Sequence, residues 1–278
     1  MGFDKRSLDT GADTTWCPGC NNYMLLSEVR NVVSEICEKE GKERKDFSIS
    51  AGIGCHGKIF DYLNLGGVYS LHGRVIPTIT GMKMGNPSLD IIGFGGDGDT
   101  YAEGVSHLLH ASRTNPDVTM VVHNNRVFAL TTGQATPTSE EGFVTKAEPK
   151  GHKDPALNPI ELAISNNTSF VARIDPTDFK KSEEVLKKAM EWDGFALVDV
   201  VMPCIKYTSD ISELKSKFYW LEEKKRSKEE ALEKAREWTK GTKLPLGIFY
   251  RSEKPVLSDR KESLRELKKE GKGWFEKG

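Results

Sequence analysis

The chain has no apolar stretch approaching the roughly 18–20 residues that a membrane-spanning helix needs, so a helical span is excluded. Net charge is equally scarce. Forty Lys and Arg against 41 Asp and Glu leave −1 over 278 residues, with no electrostatic footprint for nucleic acid or an anionic membrane. Internal repeats and low-complexity tracts are absent. Cysteine is sparse, at five residues. That is too few in a chain this long for the disulfide framework of a small secreted domain, and better read as metal ligands plus a spare. The first residues, Met1-Gly2-Phe3-Asp4-Lys5-Arg6, lack the apolar core of a signal peptide. Ser7 does not fit the spacing of a myristoylation signal. A cytoplasmic protein is expected. What is present suffices for a globular fold: 37% apolar residues for a core, 29% charged residues for a solvated surface, and length for one large α/β domain or two small ones.

The most informative run is Gly95-Gly96-Asp97-Gly98-Asp99, followed by His123-Asn124-Asn125. It puts a carboxylate at a glycine-rich turn and a carboxamide at the end of the next apolar run. Such a pair can hold one hard divalent cation that shares its oxygen ligands with a diphosphate. Glycines let the backbone approach phosphate and aim N–H groups at it. A rival reading exists, because Gly93-Phe94-Gly95-Gly96-Asp97-Gly98 also spells the G-x-G-x-x-G of dinucleotide-binding folds. That fold needs an acidic residue at the end of its second strand. Asp117 has the spacing but precedes the strand 118–122, which ends in His123-Asn124-Asn125 instead.

Periodicity organises the rest. Leu25, Val29, Val32, Val33 and Ile36 recur at helical spacing after Cys20, and Cys37 closes that face as a buried free thiol. Short apolar runs at 47–50, 90–94, 118–122, 169–174 and 196–201 read as strands. Helices are expected over 102–114 and 178–192. This alternation predicts an α/β fold, a parallel sheet flanked by helices on both faces. Residues 126–159, rich in Gly, Pro and Thr, read as a long ordered loop of functional type. Residues 1–15 read as a loose polar arm, 16–210 as the main domain, and 211–278 as a charged helical extension packed on it. Between 212 and 240, interleaved Glu and Lys read as a solvated surface helix.

Cys17 and Cys20 form C-x-x-C, preceded by Trp16. A thioredoxin-type dithiol would need a strand immediately before the motif, and residues 8–15 are polar and contain glycine. Four cysteines could equally hold Zn²⁺.

Taken together, G-D-G-D then N-N resembles the thiamine-diphosphate motif. Trp16-Cys17-Pro18-Gly19-Cys20, Gly52-Ile53-Gly54-Cys55, Leu71-His72-Gly73-Arg74 and Leu130-Thr131-Thr132-Gly133-Gln134 through Pro137-Thr138-Ser139 narrow the match. In that order they resemble the beta subunit of the 2-oxoacid:ferredoxin oxidoreductases, over about residues 14–250. The resemblance implies a thiamine-diphosphate-binding (diphosphate-type) fold and assigns Mg²⁺ to Asp97, Asn125 and the Val127 carbonyl. It implies cofactor contacts at Ile53, Gly54, Cys55, His56, His72, Gly98, Asp99, Ala129 and Leu130. The Gly98 and Asp99 N–H groups are expected to face phosphate at a helix N-terminus. A [4Fe-4S] cluster is implied at Cys17, Cys20, Cys55 and Cys204.

The activity implied is CoA-dependent oxidative decarboxylation of a 2-oxoacid, pyruvate or 2-oxoglutarate among them, with electrons passed through the cluster to ferredoxin. Only one cofactor-binding domain is legible. An alpha (or fused gamma-alpha) subunit must therefore supply the aminopyrimidine side and its activating glutamate, across a surface expected to be apolar around the cofactor mouth. Lys58 is expected to face the cavity and pair with a substrate carboxylate. A non-catalytic electron-transfer subunit and a non-oxidative thiamine-dependent decarboxylase subunit are the alternatives.

Overall fold

The computed structural model describes residues 3–239, 241 and 243–276. Its strands are β1 (Phe47–Ala51), β2 (Gly66–Tyr69), β3 (Asp90–Gly96), β4 (Thr119–Asn124), β5 (Val127–Phe128), β6 (Gln134–Ala135), β7 (Phe170–Ile174), β8 (Ala196–Val201), β9 (Phe218–Trp220) and β10 (Leu244–Arg251). Its helices are α1 (Asn22–Glu40), α2 (Ile59–Tyr62), α3 (Val75–Gly85), α4 (Val105–Thr114), α5 (Pro159–Ser165), α6 (Phe179–Met190), α7 (Ile211–Ser216), α8 (Lys228–Thr239) and α9 (Glu262–Glu270). Eight strands form one sheet in the order β2-β1-β3-β4-β8-β7-β10-β9, while β5 and β6 make a separate hairpin. Within the large sheet the pairings are parallel except β10 against β7.

The period of two in each central strand feeds two cores. Ile92 and Phe94 of β3, Val121 of β4 and Val198 of β8 face the layer built by α1, α2 and α6. Ile91, Met120, Val122 and Leu197 face the layer built by α3, α4, α5 and α8. Both faces are therefore apolar, as a parallel sheet requires.

Three expectations need correction. The N-terminal arm is docked from its first turn onward: Leu8 is fully buried, Asp9 bridges to Leu63, and Arg30 pairs with Asp9 at 3.1 Å. Met1 and Gly2 lie outside the described residues. The stretch 212–240 is not one helix but α7, β9, an irregular segment and α8. Beyond it, β10 is buried over Leu244–Phe249 and pairs with β7, so the C-terminal region completes the sheet rather than decorating it. The segment 126–159 is, as expected, a long loop, ordered by the β5–β6 hairpin.

Candidate functional site

In open α/β sheets, ligands bind beyond the carboxyl ends of the strands, where the strand order changes direction. The chain runs from β1 outward to β2 and then returns to β3 on the other side of β1, so that point lies between β1 and β3. The segments singled out from the sequence leave this same edge. Gly52–His56 follows β1, Asp97 follows β3, Asn125 follows β4 and Cys204 comes three residues after β8. Of the glycines of the G-x-G-x-x-G match, Gly93 and Gly95 lie inside β3 and not in a phosphate-facing turn, and only Gly98 follows the strand. Asp117 pairs with Lys83 at 2.9 Å.

A cavity of about 60 Å³ opens here. Ile53, Gly54, Cys55, His56, His72, Asp97, Gly98, Asp99, Asn125, Val127, Ala129 and Leu130 all line it. The structure thus brings together every residue expected at the cofactor or at Mg²⁺. Gly98 is required sterically, because a Cβ there would meet the Phe128 ring at 2.2 Å.

Asp97 is 2% exposed. Its Oδ2 accepts hydrogen bonds from Thr136 Oγ1 at 2.5 Å and Thr138 Oγ1 at 2.7 Å. Burial pushes its carboxyl up to about 6, against the pull of those hydroxyls. A buried carboxylate with this bias fits a cation, whose charge would hold it ionised. Thr136 and Thr138 were not singled out as supports of Asp97. They come from the segment just after β6, and the Thr138 hydroxyl also lies 2.9 Å from Asn124 Oδ1.

The side chain of Asp99 has a part of its own beside the one expected of its N–H. It opens a single π-helical turn, Asp99–Glu103, a distortion frequent at functional sites. Its Oδ1 accepts from the backbone N–H of Gly73 at 2.7 Å, and the Ile53 N–H also bonds its carboxylate. Gly73 adopts φ +69 to make this approach. Burial raises the Asp99 carboxyl above its ordinary range. His56 Nε2 lies 3.7 Å and His72 Nδ1 3.5 Å from its oxygens. Asp99 thus straps the two loops that carry His56 and His72 onto the turn after β3. His56 and His123 are buried, which holds both imidazoles neutral, His123 lowered to about 3.

The cysteines adjoin the cleft. Burial raises the Cys20 and Cys55 thiols, and each of them also feels Cys17 and Cys204. Trp16 Nε1 donates to the Cys55 carbonyl at 2.7 Å, and the Cys204 N–H donates to the Asn125 carbonyl at 3.3 Å. Among the described residues, no three His, Cys, Asp or Glu side chains converge as ligands of a single metal ion. Cys37 is 2% exposed in the core, its thiol pushed up to about 11 by burial. Lys58 departs from expectation: it does not line the cavity, and its Nζ donates to the Thr15 carbonyl at 3.1 Å.

Residues 52–200 match the family model of the thiamine pyrophosphate enzyme C-terminal TPP-binding domain, and residues 208–266 that of the C-terminal region of the pyruvate ferredoxin oxidoreductase beta subunit. The 2-oxoacid:ferredoxin oxidoreductase subunit beta of Saccharolobus solfataricus is 41% identical over 256 residues, covering 86% of this chain and 82% of that one. The 2-oxoglutarate synthase subunit KorB of Archaeoglobus fulgidus is 39% identical, over 69% of this chain and 70% of its own length. Among solved structures, the 2-oxoglutarate:ferredoxin oxidoreductase from Magnetococcus marinus, with 2-oxoglutarate, coenzyme A and succinyl-CoA bound, superposes with a TM-score of 0.88 at 27% identity, covering 99% of this chain and 92% of that one. With the thiamine-diphosphate motif at the sheet edge and these relatives matched over 70–92% of their own length, the chain belongs to the beta subunits of the 2-oxoacid:ferredoxin oxidoreductases.

Proposed function

We propose that this chain, joined to an alpha subunit, carries out the CoA-dependent oxidative decarboxylation of a 2-oxoacid and passes the electrons through a [4Fe-4S] cluster to ferredoxin. The observation that carries this reading is the seam between two ligand sets. Cys55 lines the cofactor cleft, and Cys204 is hydrogen-bonded to the backbone of Asn125.

On this reading Mg²⁺ is held by Asp97, Asn125 and the Val127 carbonyl, and the cluster by Cys17, Cys20, Cys55 and Cys204. Cys20 and Cys55 each lie within electrostatic reach of Cys17 and Cys204, a set of four thiolates of the kind that holds such a cluster. Thiamine diphosphate, when bound, supplies the carbanion chemistry. The chain's own residues do the rest. Asp97 offers the metal its charged ligand, held in place by Thr136 and Thr138. The Asp99 strap fixes the loops bearing His56 and His72. Gly98 clears the space where the backbone approaches phosphate.

The partner's place is supported by the surface around the mouth. Ile53, Leu71 and Leu130 are exposed there, Leu71 by 75%. Nearby, β2 is exposed along its length and, among the described residues, pairs only on its β1 side, an edge that proteins normally cover. Together these form an apolar rim that an alpha subunit would bury, keeping water from the reacting centre.

The test is reduction of viologen or ferredoxin by the two-subunit complex, dependent on both CoA and a 2-oxoacid. A complex loaded with both cofactors but inert with pyruvate, 2-oxobutyrate and 2-oxoglutarate would leave it an electron-transfer subunit. The flexible stem of Lys58 lets Nζ exchange the Thr15 carbonyl for a distal substrate carboxylate. Lys58→Ala is then expected to harm 2-oxoglutarate turnover roughly ten- to a hundredfold more than pyruvate turnover, the cost of a charge-assisted contact. Equal losses would remove Lys58 from substrate selection.

A further inference from the structure

Cys20 receives a hydrogen bond that the ligand set does not explain. Asn22, at the start of α1, is 5% exposed and donates from Nδ2 to Cys20 Sγ at 3.3 Å. Its Oδ1 lies 2.7 Å from His123 Nδ1. A carboxamide oxygen can only accept, so His123 donates from Nδ1 and thereby turns the NH₂ of Asn22 toward the sulfur. The flipped amide would press a carbonyl oxygen against a thiolate. His123 is itself immobilised, fully buried in β4 with its ring 5.9 Å from Phe94 and 5.7 Å from His56. Asn22 and His123 are 101 positions apart in the chain, so the fold brings this pair together.

We propose that Asn22, aimed by His123, is a positioning residue that sets the reduction potential of the cluster. The inference rests on the [4Fe-4S] reading of the four cysteines. Held by these thiolates, a cluster reduced by an electron from the reacting centre would carry extra negative charge on its ligand sulfurs until that electron passed to ferredoxin. An N–H donor bonds the more negative sulfur more strongly, and burial magnifies the difference. The reduced form gains more than the oxidised form, so the donor raises the potential. Outer residues that orient metal ligands act in this way. His123 lies in the strand that ends at Asn124, next to Asn125. The strand that delivers the proposed Mg²⁺ ligand therefore also aims the donor at the cluster.

The test uses the complete complex, purified anaerobically, with iron and acid-labile sulfide measured before an EPR-monitored redox titration. Asn22→Leu keeps the volume and removes the donor. Its iron content should match the parent's, and its midpoint potential should shift downward. His123→Leu should shift the potential in the same direction by less, and His123→Gln, whose amide can still donate to Asn22 Oδ1, should restore most of it. An unchanged potential in fully loaded Asn22→Leu overturns the proposal. If that variant does not load, the parent labelled with ¹⁵N-asparagine decides. Pulsed EPR of the reduced cluster should show a ¹⁵N coupling and an exchangeable proton, and their absence overturns the proposal equally. A parent complex without iron overturns the cluster reading itself, and this inference falls with it.

Discussion

At the scale of single residues, two buried acids make stability depend on pH, and one of them sets it against binding. Asp97 has an ordinary carboxyl value of 3.8 and is held near 6 in the fold. Between those values the folded chain binds more protons than the unfolded one, so the cofactor-free protein loses stability as pH rises through that window. The shift is worth on the order of 3 kcal/mol. Asp97→Asn should flatten this slope in thermal melts at pH 4 to 8, and should abolish Mg²⁺-dependent retention of the diphosphate. Retention at parental levels would remove Asp97 from the metal. Glu28 is the sharper case. It is fully buried on α1, neither oxygen has a hydrogen-bond partner among the described residues, and burial raises its carboxyl to about 9. Its ordinary value is 4.5, so stability falls as pH climbs from there to about 9 and levels off beyond. Glu28→Met should stabilise the chain by about 2 kcal/mol or more at pH 7.5, several degrees in Tm, with a gain that grows from pH 5 to 9. A gain independent of pH would mean that packing, not ionisation, is responsible.

At the scale of elements, the site is a set of loops tied to one another. Trp16 fastens the C-x-x-C turn to the Cys55 loop, and Cys204 is fastened to Asn125. Anaerobically purified protein should be brown, with about four iron and four sulfide per chain, the stoichiometry of such a cluster. Replacing Cys17, Cys20, Cys55 or Cys204 with Ala should lower iron content, whereas Cys37→Ala should not. Zinc in place of iron would sink the assignment. Elements with clear burial patterns were legible in the sequence: β8 has the expected bounds, 196–201, and β3 extends its expected run by only two residues. Others were hidden for physical reasons. In β10, Pro245 and Gly247 interrupt the apolar run, Gly247 sits at φ +108, and the register shifts between Ile248 and Tyr250. In β2, Gly66 and Gly67 open a strand with no buried face to betray it. The helix expected from Ala102 begins instead as a π turn at Asp99. Asp97, Asn125 and Gly98 were legible because glycine, carboxylate and carboxamide cluster locally, whereas Ile53, His56, His72, Ala129 and Leu130 were legible only through the family resemblance. Thr136, Thr138 and His123 were missed as supports because their partners lie far away in the chain; Asn22 is only two residues from Cys20, but the residue that aims its amide, His123, is 101 positions away. Lys58 was placed by its neighbours in sequence, although its ammonium turns toward Thr15.

At the scale of the whole molecule, the proposed reading makes the chain half of a site. The apolar rim of Ile53, Leu71 and Leu130 and the bare β2 edge face outward. The glutamate that activates the cofactor is, by family resemblance, the partner's. The isolated chain should therefore bind the diphosphate yet turn over at least roughly a hundredfold more slowly than the complex, the lower bound of what positioned proton transfer contributes. Adding the alpha subunit should restore CoA-dependent reduction of ferredoxin by a 2-oxoacid. Steady turnover by the single chain would refute the shared site. The bond from the Cys204 N–H to the Asn125 carbonyl has a further consequence. Two binding events that share a stretch of backbone form a thermodynamic cycle, and whatever factor metal–sulfur assembly adds to the chain's hold on the diphosphate, the diphosphate must return to the assembly. Exposure to oxygen, by dismantling one, would loosen the other in the same proportion.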